Sequence, residues 1–246
     1  MANIVIVHGA FGGGWEWREV AALLRARGHE VFTPSLTGFG ERVHLATPQT
    51  GLETHMDDIV NVLRYEDLHE VVLACQSYGG MVATGVAGRI PERIAHLVYL
   101  NALVPEDGQS AFDLTPPAFR RRFEAGIRTT GEGWRIPVPS FENDPQIAAF
   151  ARGRYVASPL RGFTDKIRLG APPVGVQRTY IWCTEDQEGL AGVAEIMRPF
   201  AECARHDPSW RFHQLTAIPD AYIHAPETVA DLFDEAARSS LGPTTK

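Results

Sequence analysis

Short runs of β-branched and other apolar residues alternate along this chain with longer stretches whose apolar positions recur every three or four residues. The short runs Ile4–Val7, Glu30–Thr33, Glu70–Cys75, His96–Leu100, Arg178–Cys183 and Trp210–Leu215 read as strands. The longer stretches Trp15–Arg27, His55–Tyr65, Gly79–Gly88, Leu190–Ala204 and Pro226–Arg238 read as helices. The last of these opens on Pro226-Glu227. Proline there forgoes an N–H that has no helical partner, and the acid sits at the positive end of the helix dipole. Strand and helix in regular alternation predict an α/β fold, a mostly parallel six-stranded sheet with helices on both faces.

One stretch breaks the rhythm. Residues 104–177 hold nine of the 17 prolines, together with Phe112, Phe119, Phe123, Trp134, Phe141, Phe150, Tyr155 and Phe163. A disordered linker is poor in aromatics, so this stretch is expected to pack, as a helical cap over the C-terminal edge of the sheet. Open α/β sheets bind ligands at that edge. The expected organisation is one domain, with core 1–103 and 178–238, cap 104–177 and a disordered polar tail 239–246.

Composition narrows the function classes. The chain has 246 residues, 44% of them hydrophobic, and a formal net charge of −7. A net negative charge gives no attraction to nucleic acid or to an anionic membrane. No apolar run approaches the length of a membrane span, and MANIVIV is too short for a signal peptide. Cys75, Cys183 and Cys203 are odd in number and far apart, which argues against a disulfide framework or a metal site and for a reducing cytoplasm. The expected partner is a small-molecule substrate, with no nucleic acid, membrane, metal or cofactor; a homodimer stays open.

The chemistry is concentrated in two segments. The strand VVLAC runs into Gln76-Ser77-Tyr78-Gly79-Gly80-Met81. Strand, serine, paired glycines and helix form the setting of a nucleophile elbow, in which a sharp turn exposes the serine hydroxyl and demands small neighbours. Gly79 meets that demand; Cys75 stands where glycine is usual. The second segment is His8-Gly9-Ala10-Phe11-Gly12-Gly13-Gly14-Trp15, directly after the first strand. An oxyanion hole needs two backbone N–H groups aimed at one point. Tyr78, after the serine, and Ala10, in the glycine loop, are placed to supply them. No Lys-Ser or Lys-Thr follows the loop, which excludes a phosphate-binding loop.

With HGAFGGGWEW, TPSLTGFGERVHLA, GLETHMDDIVNVLRYEDLHEVVL, QSYGGMV, YLNALVPEDGQS and APETVADLF taken together, the chain resembles the small esterase and hydroxynitrile-lyase branch of the α/β-hydrolase superfamily. The resemblance covers nearly the whole sequence. It implies a six-stranded core, a helical cap, a Ser-Asp-His triad and no cofactor. By resemblance the nucleophile is Ser77 and the triad acid is Asp186, after TYIWC.

The departures cluster at the site. Gln76 and Asn101 replace the family's histidine and aspartate beside the elbow and before the cap. The family's catalytic histidine precedes Asp-Ala, eight residues before the glutamate of Ala-Pro-Glu; here that position is Pro219, followed by Asp220-Ala221. A serine hydroxyl is a weak nucleophile without a general base. The nearest substitute base in sequence is His224, in the same loop.

Three readings follow. A non-hydrolytic enzyme, of cyclase, lyase or isomerase type, would use the oxyanion hole and Ser77 on a small apolar or aromatic molecule. A serine esterase or lactonase would recruit His224 or an aspartate. A binding protein would keep Ser77 as a hydrogen-bond donor. Intact glycines beside an altered triad favour the first. Phe11, Gln76, Asn101, Trp134 and Asp220 are the expected substrate-binding residues.

Overall fold

The structure, a computed structural model, describes residues 1–140, 145–170, 175–185 and 192–240. Its core is one parallel sheet in the order β2-β1-β3-β4-β7-β8. The strands are β1 (Asn3–Val7), β2 (Glu30–Phe32), β3 (Val71–Ser77), β4 (Ile94–Ala102), β7 (Gln177–Cys183) and β8 (Trp210–Leu215). Between β4 and β7 a short antiparallel ladder pairs β5 (Arg135–Ile136) with β6 (Ser158–Pro159).

Successive strand side chains point to opposite faces, and in this sheet both faces are covered. Val5, Val7, Val71, Leu73, Cys75, Leu97, Tyr99, Tyr180 and Trp182 face one core. Ile4, Ile6, Val72, Ala74, Val98, Leu100, Ile181 and Cys183 face the other. Helices α2 (Leu52–Tyr65), α3 (Gly79–Arg89) and α7 (Val193–His206) contribute to the first layer. The second is covered by α1 (Arg18–Ala26), α9 (Pro226–Ser240) and Trp17 from the preceding 3-10 turn, Gly14–Trp17. Burial on both faces is why the central strands read as continuous apolar runs rather than alternating ones.

All six expected strands are present, with ends that differ for local reasons. β3 begins at Val71 because Glu70 is turned into the left-handed region (φ 50°). β4 extends beyond Leu100 to Ala102, although Asn101 has φ 44°. The segment between β4 and β7 holds α4 (Pro117–Thr129), α5 (Pro145–Ala151) and the short α6 (Arg161–Thr164). Phe123, Ile127 and Phe163 from it enter the first core. The last one-turn helix before α9 is α8 (Ala221–His224). Asp186, Phe141, the first residues of the expected Leu190 helix and positions 241–246 lie outside the described residues. Among the described residues no helix is long and apolar enough to cross a membrane.

Candidate active site

Ser77 ends β3 with φ 51°, a left-handed conformation that strains any side chain but exposes the one it carries. The backbone around it is held tightly. Leu103 N–H donates to Ser77 O at 3.1 Å. A Cβ at Gly79 would lie 2.6 Å from Val7 O, and one at Gly80 2.0 Å from Leu103 O. Only glycine fits where α3 passes this close to its neighbours. Cys75 is accommodated because its side chain turns into the core, where the thiol donates to Val98 O (3.5 Å). Burial pushes that thiol well above its usual pKa, so Cys75 is no nucleophile.

The loop after β1 is built around His8. Leu36 N–H donates to His8 Nε2 (3.0 Å), which leaves Nδ1 to carry the hydrogen and donate to Gly9 O (2.6 Å). Burial lowers the His8 pKa to about 4, so the ring is neutral and acts as a bracket. Phe11 is left-handed (φ 73°), and its carbonyl accepts Val156 N–H (2.9 Å) from the segment after α5. Gly13 N–H donates to Glu16 Oε2 (2.9 Å) and Gly14 N–H to Ser35 Oγ (2.8 Å). Ala10 and Tyr78 border the same cleft as Ser77. Among the described residues neither of their N–H groups has an acceptor, the condition of a preorganised oxyanion hole.

The Tyr78 side chain is anchored away from the cleft. Its hydroxyl donates to His55 Nδ1 (2.8 Å), and His55 Nε2–H donates to Thr37 O (3.0 Å). The ring stacks on Phe163 at 5.1 Å. Tyr78→Phe leaves buried His55 Nδ1 without a donor and is expected to destabilise by about 1–3 kcal/mol, read from urea unfolding midpoints.

The buried histidines also set a pH dependence. His8, His55 and His96 are each held at about 4, chiefly by burial, against 6.5 for the free side chain. Between those values the unfolded chain binds more protons, so their contribution is complete above pH 6.5 and is lost as pH falls toward 4. Glu16, pushed from 4.5 to about 7 by burial, acts with opposite sign: its contribution is lost as pH rises through that window. Three groups outweigh one. The urea midpoint is expected to fall between pH 7 and pH 5, with a slope of up to about 1.4 kcal/mol per pH unit for each net group.

The cleft is open to solvent beside Ser77. Its apolar walls come from Phe11, Phe119, Phe123 and Phe163, with Val193, Ile196 and Met197 of α7. Its polar groups include Gln76, Ser77, Thr115, Asp220 and the tyrosines 155 and 222. Ser77, Ala10, Tyr78, Phe11, Gln76 and Asp220 are therefore brought together, as expected. Two expected binding residues are not. Trp134 lies in the cap against the Arg135 guanidinium (4.0 Å) and is not among the residues lining the cleft. Asn101 is fully buried behind the cleft wall, where its Oδ1 accepts Cys183 N–H (3.2 Å) and ties the ends of β4 and β7 together. His224 is exposed and off the cleft wall. On a helix, residues two apart point about 200° away from each other, and Tyr222 takes the inward side of α8.

Tyr222 belongs to a group that the sequence reading missed. Its hydroxyl lies 3.1 Å from both Glu16 Oε1 and Asp220 Oδ1, and the Tyr155 hydroxyl donates to Glu16 Oε1 at 2.7 Å. Glu16 is buried. The one hint in the sequence is an acid between two tryptophans in GGGWEW.

Residues 4–233 match the family described as the alpha/beta hydrolase family. The chain belongs to that family. It is 52% identical over 242 residues to a carbendazim hydrolyzing esterase of Nocardioides sp., covering 94% of this chain and 98% of that protein. It is 26% identical over 213 residues to methylesterase 9 of Arabidopsis thaliana, covering 76% and 81% of the two chains. An extracellular alpha/beta-hydrolase from a Paenibacillus species shares the fold with a TM-score of 0.80 and 24% identity, over 97% of this chain and 100% of that one. This alpha/beta hydrolase is an enzyme.

Proposed function

We propose that this alpha/beta hydrolase is a serine esterase for small, apolar, ring-bearing esters, with Ser77 as nucleophile and the N–H groups of Ala10 and Tyr78 as oxyanion hole. The observation that carries the reading is Ser77 itself, held left-handed at the base of an aromatic-walled cleft beside two amides without acceptors. That arrangement stabilises negative charge where an ester carbonyl oxygen becomes tetrahedral. The aromatic walls suit a planar ring.

Pro219 taken alone favours a lyase or cyclase, which needs an oxyanion hole but no acyl-enzyme. The relative that is 52% identical and named for hydrolysing carbendazim favours hydrolysis, and so does the methylesterase. The test is turnover of a panel of p-nitrophenyl esters and methyl esters of aromatic acids. Hydrolysis well above buffer, strongest for ring-bearing esters and absent in Ser77→Ala, is the expected result. A folded protein that leaves every ester intact would return the reading to non-hydrolytic chemistry.

A further inference from the structure

We propose that Glu16 is the positioning residue of the oxyanion loop, and that it joins this loop to the cap through Tyr155, so that seating of the cap and aim of the Ala10 amide are set together. The kinetic consequence rests on the esterase reading, whereas the joint itself stands on hydrogen bonds within the chain.

On the loop side, Glu16 closes the segment His8–Gly14 that carries Ala10. Gly13 N–H donates to Glu16 Oε2 (2.9 Å), and Glu16 N–H donates back to Gly13 O (3.1 Å). This is the reach-back of a capping box at the start of the 3-10 turn Gly14–Trp17. Here the carboxyl is buried rather than left at the surface. It fills the space that a side chain at position 12 would need, since a Cβ at Gly12 would lie 1.7 Å from Glu16 Oε2. Gly12 is two residues from Ala10, so the carboxyl bears directly on the loop that aims the amide.

On the cap side, two consecutive residues after α5 grip the same loop. The Tyr155 hydroxyl donates to Glu16 Oε1 (2.7 Å), and Val156 N–H donates to Phe11 O (2.9 Å). Trp15 packs on Phe150 of α5 (4.9 Å) and on Tyr155 (5.9 Å), with the Arg154 guanidinium 3.9 Å above its ring. Trp17 faces the other way, into the second core. Trp15, Glu16 and Trp17 therefore reach the cap, the loop and the core in turn.

A buried carboxyl is costly unless its lone pairs are used. The donors to Glu16 come from the loop and from the cap, so its burial is offset in full only when both are in place. The Tyr222 hydroxyl of α8 lies 3.1 Å from Glu16 Oε1 and shares a hydrogen bond with the Tyr155 hydroxyl. The joint does not depend on where the protons of that group sit, because each carboxyl oxygen keeps a lone pair for Gly13 or Tyr155 in either protonation state. Its effect falls on the transition state: an amide displaced by about 1 Å costs on the order of 10²-fold in rate, and a lost oxyanion donor about 10²–10³ in kcat.

The test combines kcat and KM for p-nitrophenyl butyrate, measured well below each variant's Tm, with hydrogen exchange of peptides covering residues 9–14 and 152–158. Glu16→Ala is expected to lose about 10²-fold in kcat with KM within about threefold, and to speed exchange in both peptides. Glu16→Gln keeps an acceptor for Gly13 N–H and a polar group for Tyr155, and should return kcat to within about tenfold of wild type. Tyr155→Phe removes only the bond from the cap; a fall of roughly tenfold in kcat and faster exchange in the 9–14 peptide are expected. Gly12→Ala displaces the carboxyl and should reproduce the loss, yet add little to Glu16→Ala, because both break the same contact. The proposal is overturned by a Glu16→Ala kcat within about threefold of wild type, by a loss carried in KM alone, or by a fall in kcat without faster exchange in residues 9–14. Losses from Gly12→Ala and Glu16→Ala that multiply in the double variant overturn it as well. If folded wild type leaves the ester intact, the esterase reading fails by itself. Exchange in Tyr155→Phe then still decides the joint, and an unchanged 9–14 peptide overturns it.

Discussion

Replacing Ser77 by alanine is expected to remove the proposed ester hydrolysis, with a fall in kcat of about 10⁴-fold or more and a thermal midpoint that does not drop. The size follows from what the serine does. In the proposed esterase it forms the bond to the acyl carbon, and an oxyanion hole without it retains only ~10³–10⁴ over water. Stability is spared because the backbone contact to Leu103 N–H does not involve the side chain. The measurement is kcat and KM on the best ester of the panel beside a thermal scan. A kcat within tenfold of wild type would mean that the chemistry runs elsewhere.

Trp17→Ala has the largest expected effect on the fold. Trp17 has no exposed surface, and it stacks on Tyr222 at 4.5 Å and on Phe233 of α9 at 6.0 Å. Emptying such a site costs about 3–5 kcal/mol, the lost transfer energy plus the cavity left behind. For a domain of this size that is a drop of roughly 10 °C in Tm. The change also reaches the active site, because the indole is the wall against which Tyr222 holds its place between Glu16 and Asp220. Activity measured well below the new Tm is therefore expected to fall as well, whereas Trp17→Phe keeps most of both. Differential scanning calorimetry with kinetics at low temperature separates the two losses. A variant equally stable would show that α1, α8 and α9 are not joined through this ring.

The parts of this architecture that are legible in the sequence are those fixed by local constraint. Strands buried on two faces must be apolar throughout, so β1, β3, β4 and β7 announce themselves. The elbow is legible because its backbone runs within contact distance of other backbone, which leaves glycine at 79 and 80 and nothing else. The oxyanion loop is legible for a related reason, its glycines allowing close approach after β1.

The rest depends on contacts between distant residues. Glu16 meets Tyr155 across 139 positions and Tyr222 across 206, and no periodicity records such a meeting. Pro219 falls where the resemblance places the family histidine, and nothing in the sequence says that the next residue faces the same cleft as Ser77. His224 is the residue the sequence offers in this loop, and Tyr222 is not; the phase of a single helical turn sends Tyr222 inward and His224 to solvent. Trp134 looked like a binding residue because it is a large aromatic in the cap, yet it is spent on packing beside Arg135. Asn101, where the resemblance places an acid, ties two strand ends. Asp186 falls outside the described residues, so the acid implied by resemblance keeps the standing of an expectation.

The most direct measurement of the central claim is mass spectrometry of the enzyme quenched in acid during turnover of a p-nitrophenyl ester. The account predicts one acyl group per chain, carried by the peptide that contains Ser77 and absent from Ser77→Ala. Turnover with no acyl group on Ser77 would contradict it.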